Sequence, residues 1–441
     1  MAKFLLACYP VPGHLFPNVA LAHALRERRH QVAIYSGTMA QAVVEGEGFT
    51  FFPYEGQMDR RLSQIILPQN GVSQASGIST QKMPLFSVKQ INATLSEWFL
   101  STVPEQISDL MAIEKNWKPD VMVTDISLFG PILILHDILT IPIAAFCVLP
   151  AYPIAGMDAP TWGRGLSPPK NGFARVQSWV EKVAQDWVLA DFRGQANDLR
   201  QKYGLKPIPY TVMAYSANLP LFLVVGSPEL DYNRRDLPDS VHYVGPCLWH
   251  RSQHEPPPNW LTNLPKDRPV IHVTEGTIHT RRPLVLRAAA QGLGDLTVEV
   301  IMSTGKHRNP AELDLGPLAP NIRVEQFVPH SDLFPVTDVV ISTGGAGTVL
   351  TALMAGVPLI IVPTAWDLPE NAQRVVEAGA GIRIPPAKCS PERLRDAVET
   401  ILRDPAYRQK AVEIGASLKR QGGPPRAAEL LETLLKGNGS G

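Results

Sequence analysis

The sequence predicts an α/β protein made of two doubly wound, parallel-sheet domains of similar size. Its 441 residues exceed one ordinary hydrophobic core and suit two domains of roughly 200 residues each. Short apolar runs alternate with helical periodicities through the first half, and the same rhythm restarts in the second. Strand–helix alternation at this spacing is the signature of a parallel sheet covered by helices on both faces.

Phe4–Cys8 reads as a buried strand, and Val19–Arg28 repeats apolar residues at helical spacing. Val32–Tyr35 is the next strand, Met39–Glu47 a helix and Thr50–Phe52 a strand. Val121–Thr124 is a strand led by Lys118-Pro119-Asp120. The longest apolar stretch, Ile126–Pro150, carries His136 and Asp137 mid-run. A membrane span would have to bury those groups, so it reads as a core helix followed by the strand Ile141–Cys147. In the second half Val270–Thr274, Thr297–Ser303, Ile322–Gln326, Val339–Ser342 and Leu359–Val362 read as strands.

The polar, Pro-rich HRSQHEPPP is unlike either flank and marks the boundary. It divides an N-terminal domain, 1–248, from a C-terminal domain, 259–441, with 249–258 as linker. The last helix is placed to pack back on the first domain. Two stretches break the rhythm. Gln57–Asn92 is polar and turn-rich, and Val176–Tyr203 is a long helical stretch holding Trp179, Trp187 and Phe192. Extra segments in open α/β domains cap the carboxyl ends of the strands, where ligands bind; plain helix packing is the other reading of those aromatics.

Hydrophobic residues make up 45% and charged residues 19%, the balance of a soluble globular chain. Lys plus Arg (41) cancels Asp plus Glu (41), so no global field favours nucleic acid or stable insertion at an anionic membrane. Any phosphate is held by local geometry. Cys8, Cys147, Cys247 and Cys389 are far apart, with no CxxC pair, so reduced thiols are expected and a metal site is not. The N-terminus lacks a full signal-peptide pattern, and a cytoplasmic protein is expected. The final GNGSG reads as a flexible tail.

Pro12-Gly13-His14-Leu15-Phe16-Pro17 follows the first strand directly. Gly13 suits a tight turn and Pro17 the first turn of a helix, which puts His14 at a strand's carboxyl end. A histidine can take a proton near neutral pH, and its imidazolium needs an anion to orient it. Asp125, ending the strand Val121–Thr124, lies at the same sheet edge. Two helix caps are the alternative reading of the pair. In the second half, Ser342-Thr343-Gly344-Gly345-Ala346-Gly347-Thr348 takes a strand through a Gly-rich turn into a helix. Such a turn presents bare backbone N–H groups and a positive dipole end to a phosphate. Asp367 and Asn371, on a later strand–helix loop, can bond sugar hydroxyls; Asp367 can equally be an N-cap.

From about Phe327 to Ile384 the chain resembles the donor-binding signature of the family-one (macrolide/UDP-glucuronosyl-type) glycosyltransferases, and the likeness extends loosely over its whole length. Gly13-His14 followed by Pro17 resembles that family's catalytic turn, and Asp125 in Val-Thr-Asp-Ile matches the aspartate supporting the histidine. Thr274–Thr277 and Ser303-Thr304-Gly305 resemble two further strand ends. The resemblance implies the GT-B architecture, two Rossmann-like domains facing an interdomain cleft, with acceptor in the first domain and nucleotide sugar in the second. Phe327 and Val328 would hold the nucleobase, by stacking and backbone contact. Thr277, Gly345, Gly347 and Thr348 would cradle the diphosphate, Asp367 would hold donor-sugar hydroxyls with Asn371 beside it, and Thr304 and Thr343 are further donor-binding positions. Three positions depart from the pattern: Thr343 replaces a histidine that donates to a phosphate, Thr351 a glutamate on the ribose, and Leu368 a glutamine at the sugar.

The expected function is an inverting, metal-independent glycosyltransferase with no cofactor. It would move a sugar from a nucleoside-diphosphate sugar, UDP-glucose before TDP-sugars, to a hydroxyl of a hydrophobic small molecule. Phe86, Phe146 and Trp162 are the candidate acceptor contacts. A sugar-nucleotide 2-epimerase and a non-catalytic nucleotide-sugar-binding protein are the alternatives. The chain is expected as monomer or homodimer, and acceptor identity and regiochemistry stay open.

Overall fold

A computed structural model describes the chain except residues 57, 62–87, 149–153, 155, 250–257, 277–282, 307, 365 and 438–441. The first sheet contains β1 (Lys3–Ala7), β2 (Gln31–Ser36), β3 (Thr50–Pro53), β4 (Val121–Asp125), β5 (Ile143–Cys147), β6 (Leu221–Val224) and β7 (Val241–Tyr243). Its order is β3-β2-β1-β4-β5-β6-β7, with every pairing parallel. The second contains β8 (Val270–Thr274), β9 (Glu299–Ser303), β10 (Ile322–Glu325), β11 (Val339–Ser342), β12 (Leu359–Ile361) and β13 (Gly381–Arg383), in the order β10-β9-β8-β11-β12-β13, again all parallel. In each sheet the chain winds outward in one direction, returns to the centre and winds out the other way. The switch points lie between β1 and β4 and between β8 and β11, where an open α/β sheet leaves a crevice at its carboxyl edge.

The sequence-predicted strands all form. Leu221–Val224, Val241–Tyr243 and Gly381–Arg383 were not foreseen, because runs of three or four residues beside prolines and glycines carry too little periodicity to register. Strand residues alternate sides: Phe4 and Leu6 enter one core layer, Leu5 and Ala7 another. Both faces are covered, which is why these strands are apolar throughout rather than alternating. Val88–Phe99 is a helix, so the turn-rich reading of Gln57–Asn92 is too long at its end. The Ile126–Pro150 stretch contains the helix Phe129–Ile138 and then β5. Among the described residues no helix is long and apolar enough to cross a membrane.

The two halves are joined by more than the chain crossing between them. The last helix, Gly423–Gly437, packs on the helix Pro12–Glu27 and against β4 and β6. Glu432 on it pairs with Arg28 Nη2 at 2.6 Å and His30 Nε2 at 2.8 Å. One core layer runs from Phe4 and Phe146 through Leu223 to Val349 and Ile361, residues of both sheets and their helices.

Candidate active site in the interdomain cleft

The helix after β1 begins at Pro12, earlier than apolar periodicity from Val19 suggested. Pro12 takes the first helical position, where its missing N–H costs nothing. Val11 is extended, and the amides of His14 and Leu15 both donate to its carbonyl. His14 is therefore held in the first helical turn. Pro17 is in the helix interior, not its first turn. Gly13 has no positive φ and open space where a Cβ would be, so its conformational freedom is not what the turn uses.

β1 and β4 are neighbours, with Ala7 opposite Thr124, so the residues leaving both strands meet at one edge. His14 Nδ1 lies 2.8 Å from Asp125 Oδ2, and Asp125 Oδ1 accepts the Ser127 amide at 2.8 Å. Asp125 thus caps the short turn Ile126–Leu128 and holds the histidine with its other oxygen. Ser127 Oγ stands 3.1 Å from the same Nδ1. With Nδ1 donating to a carboxylate, the neutral ring carries its free lone pair on Nε2. Asp125 is fully buried, whereas His14 keeps 19% of its side chain accessible.

Burial opposes charging His14, but the Asp125 charge and hydrogen bond, reinforced by Asp367, more than reverse this and raise its pKa above 6.5. Asp367 belongs to the other domain. Its own carboxyl is raised by burial against the lowering effects of Asn371 and of His14. The two groups are electrostatic neighbours across the cleft.

At the second switch point β11 ends beside β8, with Ser342 opposite Thr274. Gly344 has φ 95°, and a Cβ there would come within 2.6 Å of Ile361 Cγ2, so only glycine makes this turn. Gly345 then caps the helix Ala346–Met354 without a side-chain hydrogen bond. Gly345 and Gly347 face open space, and Thr348 is partly exposed. First-turn amides, a positive dipole end and one hydroxyl are groups whose chemistry suits an anion.

Asp367 occupies the N-cap position of the helix Leu368–Glu377 but makes no capping bond. Its Oδ2 instead accepts the Asn371 amide at 2.8 Å, and that amide also donates to the Gly344 carbonyl at 2.9 Å. Asn371 is buried and ties the Gly-rich turn to Asp367. Both N–H groups of its side chain are thereby engaged within the protein.

Several other expected contacts are corrected. Phe146, a residue of β5, is fully buried in the core, because both faces of that strand are covered. The Val328 side chain is also core, which leaves its backbone as the part expected at the nucleobase, while Phe327 is 46% exposed with Lys306 Nζ 4.4 Å from its ring centre. Thr304 is buried, and its hydroxyl donates to the Arg308 carbonyl. The one O–H of Thr343 goes to the Glu275 carbonyl at 3.2 Å, leaving no proton for a phosphate. Thr351 donates back to Gly347 O at 2.7 Å, within its own helix. Trp162 is half-buried and lines an interdomain cavity with Lys182, Tyr232, Arg234 and Arg374. Phe86 and Thr277, and linker residues 250–257, lie outside the described residues.

The sequence reading missed Ser127, and it missed a clamp between the domains. Glu370 Oε1 accepts the amides of Gly163 (2.9 Å) and Gly165 (2.8 Å) from the first domain. Gly165 has φ 56°, and a Cβ would sit 2.1 Å from the Pro369 carbonyl, so the approach needs glycine. Arg374 Nε meets Asp231 Oδ1 at 2.7 Å, both side chains almost wholly buried, with Tyr232 beneath the guanidinium at 4.2 Å. Burial pushes Asp231 up, yet Arg374 and the Tyr243 hydroxyl hold it below the usual carboxylate range. No short motif announces such a clamp; its partners are 143 residues apart.

Two doubly wound domains, one carrying a partly exposed histidine held by a buried aspartate and the other ending a strand in a Gly-rich turn, have the GT-B fold of glycosyltransferases. Residues 287–434 match the family described as erythromycin biosynthesis protein CIII-like, C-terminal domain. The chain is 30% identical to 4'-demethylrebeccamycin synthase of Lentzea aerocolonigenes, over 98% of this chain and all of that protein. It is 27% identical to demethyllactenocin mycarosyltransferase of Streptomyces fradiae, over 99% of this chain and 87% of that one. The crystal structure of the calicheamicin glycosyltransferase has the same fold, with TM-score 0.71 and 23% identity over the full length of both chains. This chain belongs to the natural-product glycosyltransferases that carry the erythromycin CIII-like C-terminal domain. The comparisons do not favour the epimerase and non-catalytic readings.

Proposed function

We propose that the enzyme inverts configuration in a single displacement. His14 Nε2 removes the proton of an acceptor hydroxyl as its oxygen attacks the anomeric carbon, and the nucleoside diphosphate leaves. The observation that carries this reading is the 2.8 Å bond from His14 Nδ1 to buried Asp125, which leaves Nε2 as the ring's basic atom. Asp125 stabilises the imidazolium that forms. The amides at the start of the helix Ala346–Met354, with Thr348, receive the diphosphate charge. Phe327 offers an exposed ring for the nucleobase, and Asp367 accepts from donor-sugar hydroxyls.

No metal or cofactor is assigned a role. Among the described residues no three His, Cys, Asp or Glu side chains are grouped to hold a metal ion, and the helix terminus already offers the charge stabilisation a cation would. The donor we propose is UDP-glucose. A second reading, a TDP-deoxysugar, is favoured by Leu368, which puts no amide beside Asp367, and by Thr351, whose hydroxyl is engaged within its helix. The name of the Streptomyces fradiae relative, a mycarosyltransferase, points the same way. The acceptor we propose is a hydrophobic polyketide, phenolic or terpenoid alcohol, and the protein is expected in the cytoplasm.

The test incubates the protein with UDP-glucose and with TDP-sugars against a mixed panel of phenolic and macrolide acceptors, with EDTA present. Nucleoside diphosphate release that requires an acceptor, together with an inverted anomeric configuration by NMR, supports the reading. A retained configuration, or loss of activity in EDTA, refutes the mechanism.

A further inference from the structure

The Asp367 carboxylate has a side-chain anchor within its own domain, Asn371. A second support reaches it across the cleft. Trp366, the residue before Asp367, has its ring centre 4.5 Å from that of Trp98 in the first domain, the planes tilted by 54°. Trp98 lies one residue from the end of the helix Val88–Phe99, and both rings are half-buried. Trp366 also has φ 54°, in the left-handed region. A bulky side chain rarely adopts that conformation, whereas glycine does so freely. It persists where surrounding contacts hold it, and such residues gather at ligand sites.

Trp98 is itself fixed to the segment that holds the base. Phe99 sets its ring centre 4.9 Å from that of Phe129, in the helix that follows Asp125 and its turn. The Phe99 carbonyl lies against Gly130, where a Cβ would stand 2.4 Å from it. Earlier in the same helix, buried Asn92 donates to the Val188 carbonyl and accepts from the Phe192 amide, each at 2.7 Å. Phe192 is fully buried, the packing that was one sequence expectation for it. Trp179 (53% exposed) and Trp187 (76%) instead lie with Phe173 on the solvent side of the helix Gly172–Val188. Two aromatic contacts, Phe129 on Phe99 and Trp98 on Trp366, thus lead from the Asp125 side of the cleft to the Asp367 side.

We propose that Trp98 is a positioning residue for the donor sugar. Its contact with Trp366 holds the left-handed backbone that presents Asp367, so the domain carrying His14 also aligns the carboxylate that holds the sugar. The proposal rests on the reading of Asp367 as the acceptor of donor-sugar hydroxyls. A wall for the acceptor molecule needs neither a partner ring in the other domain nor a strained residue beside Asp367; this pair has both.

Trp98→Ala is expected to lower kcat/KM for the nucleotide sugar roughly two- to tenfold, the worth of one aromatic pair, with the acceptor KM unchanged. Trp98→Leu, which keeps apolar bulk without a ring, guards against a packing defect and should show the same loss. Trp98→Phe should recover most of it. Calorimetry with UDP-glucose, or with the TDP-sugar that the donor panel selects, should show the weakening directly. Affinity for the free nucleoside diphosphate should stay at the wild-type value, because that ligand carries no sugar for Asp367 to hold. In an Asp367→Asn background, Trp98→Ala should cost little further, since it acts through that carboxylate. Unchanged donor kinetics in Trp98→Ala, a loss confined to the acceptor KM, an equal loss for the free diphosphate, or a full further loss on top of Asp367→Asn each overturns the proposal. Unchanged donor kinetics in Asp367→Asn itself removes the sugar-site reading, and the proposal with it.

Discussion

Asp125 divides its carboxylate between two partners, giving one oxygen to His14 Nδ1 and the other to the Ser127 amide, each at 2.8 Å. The amide fixes the carboxylate, and the carboxylate fixes the ring. His14→Ala removes the base without emptying the core, because the ring is partly exposed. Its kcat is expected to fall about 10²–10⁴-fold, with thermal unfolding close to wild type. Normal transfer by a folded His14→Ala chain would falsify the mechanism.

The pH dependence follows from the same pair. His14 is the base only when neutral, and its pKa is raised above 6.5, so kcat/KM should climb with pH through a midpoint above 6.5. Asp125→Asn keeps an acceptor oxygen for Nδ1 but removes the charge, so the midpoint moves to lower pH while the plateau drops. Stopped assays across pH 5–9 in both proteins read the two effects separately; an unmoved midpoint refutes the assignment.

Asp367 is held by Asn371 with no capping bond of its own. Asp367→Asn removes a charged acceptor for sugar hydroxyls, worth about 1.5–3 kcal/mol, and should lower kcat/KM for the donor by roughly ten- to a hundredfold. Asn371→Ala should give a smaller loss, since it frees the carboxylate without deleting it. Equal donor kinetics for Asp367→Asn and wild type would remove Asp367 from the sugar site.

Arg374 and Asp231 bridge the domains almost wholly out of solvent. Arg374→Ala leaves Asp231 buried without its cation, a defect that costs about 3–5 kcal/mol. Urea unfolding should show that loss, and the double variant Arg374→Met, Asp231→Leu should recover much of it. A wild-type midpoint for Arg374→Ala would show that the pair contributes nothing.

The sequence alone carried the two-sheet plan, because strands covered on both faces must be apolar and helices between them must show their own period. It carried His14, Asp125 and Asp367 as candidates, since each lies at or within a few residues of a strand's carboxyl end and a parallel sheet gathers such residues along one edge. Only the tertiary structure decided which side chains are available. Phe146 and Thr304 offered suitable side chains and Thr343 a hydroxyl, but all three are buried or already bonded, and neither burial nor a committed O–H is written in spacing. The Glu370–Gly165 and Arg374–Asp231 contacts, and the outward Phe173–Trp187 face, were also invisible. An ion pair between distant segments leaves no periodic trace, and a helical stripe shows which residues share a face but not which way that face turns. That direction is set by what the rest of the chain packs against it.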